Sequence, residues 1–277
     1  MDTVVFLAME QKYNFTYLLP YFHPINKEFI EKLPSPIRIF RSRLFRYLVG
    51  VFRDAKMVKN LTYNCNSFIE PLSIVRPIKR ARYAYHEIDT VRFRSVIRNH
   101  ILDSSILGTY SLNRGQYVCI NARNNFLTER TAKVHSFRNS PRSYLIPIIE
   151  YLQEEGVTVV NLSTYFFRGC LNIHEEIKYS KSDILSIVEA CKCYIGDSSG
   201  PTVYALCLGG PVFAYNFFPL IDDVRSNVTV DYMEILGDYT KDDLSFLHSE
   251  FDLIKYGISV RSSPPSLVKF ANFWNKL

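Results

Sequence analysis

The run Asp197-Ser198-Ser199-Gly200 combines residue types that can hold an anion without a metal: small hydroxyl side chains and a glycine that lets a ligand approach the backbone. Its spacing places it at the start of a helix. Pro201 suits a first turn, where the amide hydrogen it lacks would have no partner; Ser198 or Ser199 is a good N-cap, and Gly209-Gly210-Pro211 ends the segment. Cys193-Tyr194-Ile195 before it is a short β-prone run that Gly196 breaks, and Val212 to Tyr215 after it resumes as a buried strand leading to Asn216. A helix opening directly from a strand presents unpaired N–H groups and the positive end of its dipole, for which a phosphate or diphosphate is the natural guest. The alternative is a serine-capped turn that holds nothing. The run fits neither the G-x-G-x-x-G fingerprint of dinucleotide folds nor a P-loop.

A second cluster supplies charge. Asn121-Ala122-Arg123-Asn124-Asn125 follows an expected strand at Tyr117 to Ile120, and His135-Ser136-Phe137-Arg138-Asn139-Ser140 precedes a helix expected over Pro141 to Glu155, with Ser140 as its N-cap. The connection between strand and helix is about 18 residues long where 2 to 6 is usual, which marks a functional loop. Arg123 and Arg138 offer forked donors that stay charged, as neutralising a diphosphate requires. His135 is the residue able to exchange a proton near neutral pH. Asn121, Asn139 and Asn216 complete the expected ligand-binding side chains. Surface arginines and an inert loop histidine are the competing readings.

The elements that must position these residues alternate. Strands at Tyr117 to Ile120, Val157 to Leu162 and Cys193 to Ile195 are separated by helices at Pro141 to Glu155 and Asp183 to Cys191, which implies an α/β fold with a parallel sheet. Ligands of such sheets collect outside the carboxyl ends of the strands, where each polar cluster falls.

The first part of the chain reads differently. Thr3 to Met9 is an expected strand, Tyr13 to Pro36 is irregular, and Ile37 to Lys56 reads as a basic amphipathic helix with Phe40, Leu44, Tyr47, Leu48 and Val51 on one side and Arg38, Arg46 and Arg53 largely on the other. Arg76, Lys79, Arg80, Arg82, Arg92, Arg94 and Arg98 add charge interleaved with aromatics. Residues 1 to 112 carry 17 Lys+Arg against 9 Asp+Glu, a net of +8, so that the remainder carries −2 of the chain's total of +6. Asn113-Arg114-Gly115 reads as a linker, dividing the chain into a smaller basic α/β domain, 1 to 112, and a Rossmann-like domain, 113 to 277. The basic half suits an anionic acceptor or peripheral contact with anionic lipid. Nucleic acid is a weaker fit, because Glu87 and Asp89 dilute the charge and no nucleic-acid-binding module is recognisable.

Composition narrows the class. The chain has 277 residues, 47% of them hydrophobic, enough for a substantial core. Its six cysteines include no C-x-x-C pair, so reduced core thiols are expected rather than disulfides or zinc ligands. Asp2, Glu10 and Lys12 do not fit a signal peptide, and no stretch reaches about 18 apolar residues, so a cytoplasmic protein is expected.

The segments YVCINARNN, HSFRNSPRSYLIPIIEYLQEEG, SKSDILSIVEACKCYIGDSSG and DLIKYGISV, in that order, resemble a family of bacterial glycosyltransferases associated with surface-polysaccharide synthesis. The likeness spans about residues 113 to 277. The family is similar to two-domain, GT-B-type enzymes and, more distantly, to fucosyl- and heptosyltransferases. The resemblance implies that Arg123 and the turn Ser198 to Gly200 hold the diphosphate of a nucleotide-sugar donor, with a glycan or lipid-linked glycan as acceptor. This chain departs from the family at two places: Asn121-Ala122-Arg123-Asn124 replaces His-Ala-Arg-Asp, and Asn161-Leu162-Ser163 replaces Arg-Met-Gly. These changes imply a different donor or acceptor, or a catalytically degenerate nucleotide-binding partner of another glycosyltransferase. No D-x-D sequence, by which metal-dependent glycosyltransferases hold a divalent ion, occurs. The expectation is metal-independent transfer with no cofactor beyond the donor; a basic protein binding nucleic acid or a membrane surface is the remaining alternative.

Overall fold

The computed structural model describes residues 105–124, 136–173, 181–218, 226–237 and 257–277, the backbone of 18–20 and 38–40, and residues 94, 98, 102 and 239. The chain divides into two compact units, Met1–Leu102 and Asp103–Leu277.

In the first unit, β1 (Leu18–Pro20) pairs in parallel with β2 (Arg38–Phe40), Leu19 opposite Ile39. The amphipathic helix expected from Ile37 therefore does not include Arg38 or Phe40. In Ile37-Arg38-Ile39-Phe40 the β-branched residues fall at alternate positions, 37 and 39, directly after Pro36, so the stretch suits a short strand as well as the start of a helix. The rest of that helix, and the strand expected at Thr3 to Met9, lie outside the described residues.

The second unit opens with α1 (Ser105–Thr109) and is built on a six-stranded sheet in the order β5-β4-β3-β6-β7-β8, parallel throughout. The strands are β3 (Tyr117–Asn121), β4 (Thr158–Asn161), β5 (Leu171–Asn172), β6 (Cys193–Gly196), β7 (Val212–Phe217) and β8 (Val228–Tyr232). Helices α2 (Ile146–Glu154), α3 (Lys181–Ala190) and α4 (Gly200–Leu208) connect them. The fold is α/β with a parallel sheet, as the alternation implies. From β3 the chain winds outward through β4 to β5, then returns to the other side of β3 as β6 and winds the opposite way. The two carboxyl ends at which the order reverses belong to β3 and β6, where Asn121 stands opposite Gly196.

Each face of the central strands is covered, which accounts for their continuous apolar sequences. Val118 and Ile120 join Ile148, Ile149 and Leu152 of α2 with Phe270 and Phe273 of α5 (Leu267–Trp274) in one core. Tyr117 and Cys119, facing the other way by the two-residue period, both donate to the carbonyl oxygen of Ile187 in α3, at 2.6 and 3.7 Å. Phe213 of β7 meets Phe270 edge-on at 5.4 Å between ring centres. Among the described residues Cys119, Cys170, Cys191 and Cys193 are free thiols. A two-stranded antiparallel ribbon, β9 (Glu234–Leu236) with β10 (Ser259–Arg261), completes the described strands.

Two boundaries differ from expectation. The helix expected from Pro141 is a 3-10 turn at Arg142–Tyr144 followed by α2, and Ser140 caps neither. Pro147 has no N–H to continue an α-helical ladder from Pro141, so regular helix begins just before it, where the missing donor costs nothing. Strand β7 runs past Tyr215 through an irregularity between Ala214 and Phe217, where Asn216 takes a positive φ of 45°.

Candidate functional site

The turn after β6 packs against the ends of its neighbours through side chains of small reach. Gly196 leaves no room for a Cβ, which would lie 2.5 Å from the Tyr194 ring and 2.7 Å from Thr202 Oγ1. Asp197 follows, then Ser198 and Ser199, and α4 begins at Gly200 with Pro201 in its first turn and Gly209 closing it at a φ of 71°. Ser199 occupies the N-cap position as expected, but its hydroxyl makes no capping bond to the helix backbone. It accepts a hydrogen bond from Asn121 Nδ2 at 3.0 Å and lies 3.2 Å from Thr202 Oγ1. The hydroxyl of Ser198 donates to the carbonyl oxygen of Phe218 at 2.6 Å. Both serine side chains are thus occupied in shaping the turn, and what remains for an anion is the backbone at the helix start.

Asp197 is wholly buried. Its Oδ2 accepts the backbone N–H of Arg123, while Oδ1 has no hydrogen-bond partner among the described residues. Burial pushes the carboxyl from its ordinary value up to about 6, against the N–H and charge of Arg123 and the nearby hydroxyls of Ser140 and Ser199, which favour the ionised form. Arg123 therefore contributes by main chain and by charge. Arg138 lies at the same turn: its Nε and Nη2 donate to the carbonyl oxygen of Ser198 at 2.9 and 2.6 Å.

Asn216 ties further loops to this edge. Its Nδ2 donates to Ser140 Oγ at 3.3 Å and its Oδ1 accepts the N–H of Ser263 at 3.3 Å. Ser140, buried, also donates its own N–H to the carbonyl oxygen of Arg123 at 3.1 Å, a structural role in place of the expected cap. Phe137 packs edge-on against Phe218, with ring centres 6.2 Å apart.

Of the residues expected at the site, Asn121, Arg123, Arg138, Asp197, Ser198, Ser199, Gly200 and Asn216 are brought to one edge. Asn139 lies between Arg138 and Ser140 with a buried Oδ1 that has no hydrogen-bond partner among the described residues. His135 is outside the described residues. Tyr165 was not singled out by sequence reasoning; it follows β4, and its hydroxyl is raised by burial and then by the charge of Asp197, so it belongs to the same neighbourhood. The rule that ligands gather beyond strand ends could have found it, since Tyr165 lies four residues beyond the end of β4 at Asn161. At the second departure from the family pattern, Asn161 is buried and donates to Asn172 Oδ1 at 2.8 Å while accepting the N–H of Ser163 at 3.0 Å. Its amide organises the loop after β4. Among the described residues no group of three or more His, Cys, Asp or Glu is placed to hold a metal ion, and no helix is long and apolar enough to cross a membrane.

No family model and no curated protein matches the sequence. Among solved structures, the chain is similar to a glycosyl transferase family 9 protein from Veillonella parvula, with a TM-score of 0.46 and 11% identity over 92% of each chain.

Proposed function

We propose that this chain is a nucleotide-sugar-dependent glycosyltransferase whose second unit holds the donor's diphosphate at the N-terminus of α4. The observation that carries the reading is the placing of the α4 start, Arg138 and Arg123 together at the reversal of strand order, where parallel sheets take their ligands. The sequence likeness to bacterial surface-polysaccharide glycosyltransferases supports the donor class. In transfer, an acceptor hydroxyl attacks the anomeric carbon as its bond to the diphosphate oxygen breaks. Negative charge grows on the leaving phosphate, and in this reading the N–H groups at the start of α4 and the charges of Arg123 and Arg138 stabilise it. His135 is assigned to proton exchange with the acceptor, and the basic first unit to a glycan or lipid-linked glycan at the cytoplasmic face of a membrane.

A second reading, a donor-binding partner without transferase activity, is favoured by Asn121, whose amide is tied to Ser199 where the family carries an ionisable histidine. Thermal shift against a panel of nucleoside diphosphates and their sugars identifies the donor, since a ligand of the folded state raises its melting temperature. Transfer to an acceptor extract, undiminished by EDTA, is the expected result. Binding without transfer selects the second reading, and no shift with any nucleotide removes both.

A further inference from the structure

We propose that Asp197 is a positioning residue of the donor site: its carboxylate fixes the backbone of Arg123 to the first turn of α4, and it acts on donor binding through that arginine. The inference rests on the diphosphate reading of the site and adds what holds Arg123 in register with α4. Strand β3 ends at Asn121, so two residues later the sheet ladder no longer holds the chain. At Arg123 two other contacts take over: its N–H donates to Asp197 Oδ2, and its carbonyl oxygen accepts the N–H of Ser140 at 3.1 Å. The polar groups on both sides of its Cα are thereby engaged by residues from two other loops. The long side chain moves about a stationary root.

The anchor is itself held in place. Asp197 is wholly buried, and its carbonyl oxygen accepts the Ser199 N–H at 2.7 Å and the hydroxyl of Thr202, one turn into α4. Asn121 Nδ2, on Ser199 Oγ at 3.0 Å, ties the end of β3 to the same turn. Arg123 and the start of α4 therefore belong to one frame across the reversal of strand order. By charge alone, a carboxylate this close in sequence to the helix start opposes an anion, so anchorage is the task that offsets its presence there. Hydrogen bonds to a charged acceptor are about twice as strong as neutral ones, and in a preorganised site a displacement of about 1 Å costs up to about a hundredfold.

Calorimetry of the whole chain with UDP, GDP, CDP and ADP supplies the test, followed through with whichever binds most tightly. Asp197→Ala removes both charge and acceptor, whereas Asp197→Asn removes the charge and keeps an oxygen for the Arg123 N–H. The asparagine variant is expected to bind on the order of tenfold more tightly than the alanine variant. In an Arg123→Ala background the same two substitutions are expected to differ by no more than about twofold, because a residue acting through another has nothing left to position. Asp197→Ser, too short to reach the Arg123 N–H, takes the place of alanine if that variant does not fold. Equal affinities of the folded alanine and asparagine variants overturn the inference while leaving the diphosphate site standing, as does a difference that persists without the arginine. Rapid hydrogen exchange at the Arg123 amide of the unaltered folded chain overturns it with no variant at all. Undiminished binding by Arg123→Ala removes the arginine from the site and the inference with it, and failure of all four nucleotides to bind overturns the diphosphate reading together with the inference.

Discussion

Arg138 reaches across 60 residues of sequence to place its guanidinium on the carbonyl oxygen of Ser198, with both Nε and Nη2 within 2.9 Å. The contact puts a permanent positive charge beside the first turn of α4. Arg138→Ala is expected to weaken binding of the cognate nucleoside diphosphate by about 2 kcal/mol or more, and Arg123→Ala by a comparable amount through its charge. Ser199→Ala should cost only about 1 kcal/mol, because the helix N–H groups survive the change. Calorimetry on folded variants checks the order; equal, small losses for all three would remove the arginines from the donor site.

Asp197 gives a signed pH effect on stability. Its folded value, about 6, exceeds the ordinary 3.8, so the folded state holds the extra proton. The stability this brings is full below about pH 4, is lost as pH rises through 6, and leaves the ionised form destabilised by about 3 kcal/mol at neutral pH. Asp197→Asn is expected to gain denaturant stability relative to the unaltered chain between about pH 4 and 7, the gain growing with pH. A pH-independent difference between the two would show that burial does not perturb this carboxyl.

Gly196→Ala should be among the most damaging small changes in the second unit. The added methyl meets the Tyr194 ring and Thr202 Oγ1 well inside contact distance, and Tyr194 is fully buried. A loss of about 1 to 3 kcal/mol in thermal or denaturant unfolding is expected.

Asn216 separates a backbone requirement from a side-chain one. Asn216→Gly keeps the positive φ but releases Ser140 and Ser263, whereas Asn216→Ala loses both contacts and strains the backbone. The alanine variant is expected to be less stable than the glycine variant by about 1 kcal/mol, with donor affinity reduced in both. Identical melting temperatures would mean that the positive φ carries no strain.

The parallel sheet was legible because β3, β6 and β7 are buried on both faces and therefore read as apolar runs, Tyr117 to Ile120, Cys193 to Ile195 and Val212 to Tyr215, each soon followed by a polar residue. The turn at Ser199 was legible for a local reason, since Gly196, Pro201 and Gly209 each act within a few residues. What the sequence concealed is long-range. That Ser199 spends its hydroxyl on Asn121, or Arg138 its guanidinium on a main-chain oxygen, follows from strands brought side by side across 78 and 60 residues. The burial of Asp197 was hidden likewise, for a polar residue in a serine-rich turn looks exposed. The helix expected over Ile37 to Lys56 begins too early, because the apolar residues that set its period, Phe40, Leu44, Tyr47, Leu48 and Val51, begin at its fourth residue and do not constrain Arg38 and Ile39, which pair as β2.

Phe270 and Phe273 close the core beneath Phe213, yet they follow every strand of the sheet they cover. A nascent chain that has not yet delivered Trp274 to solution carries β3 to β8 with one apolar face partly bare. Synthesis order therefore puts the second unit at risk of sticking to other chains until α5 emerges, which makes it a natural client for a chaperone at the ribosome exit and a poor candidate for folding strand by strand as it is made.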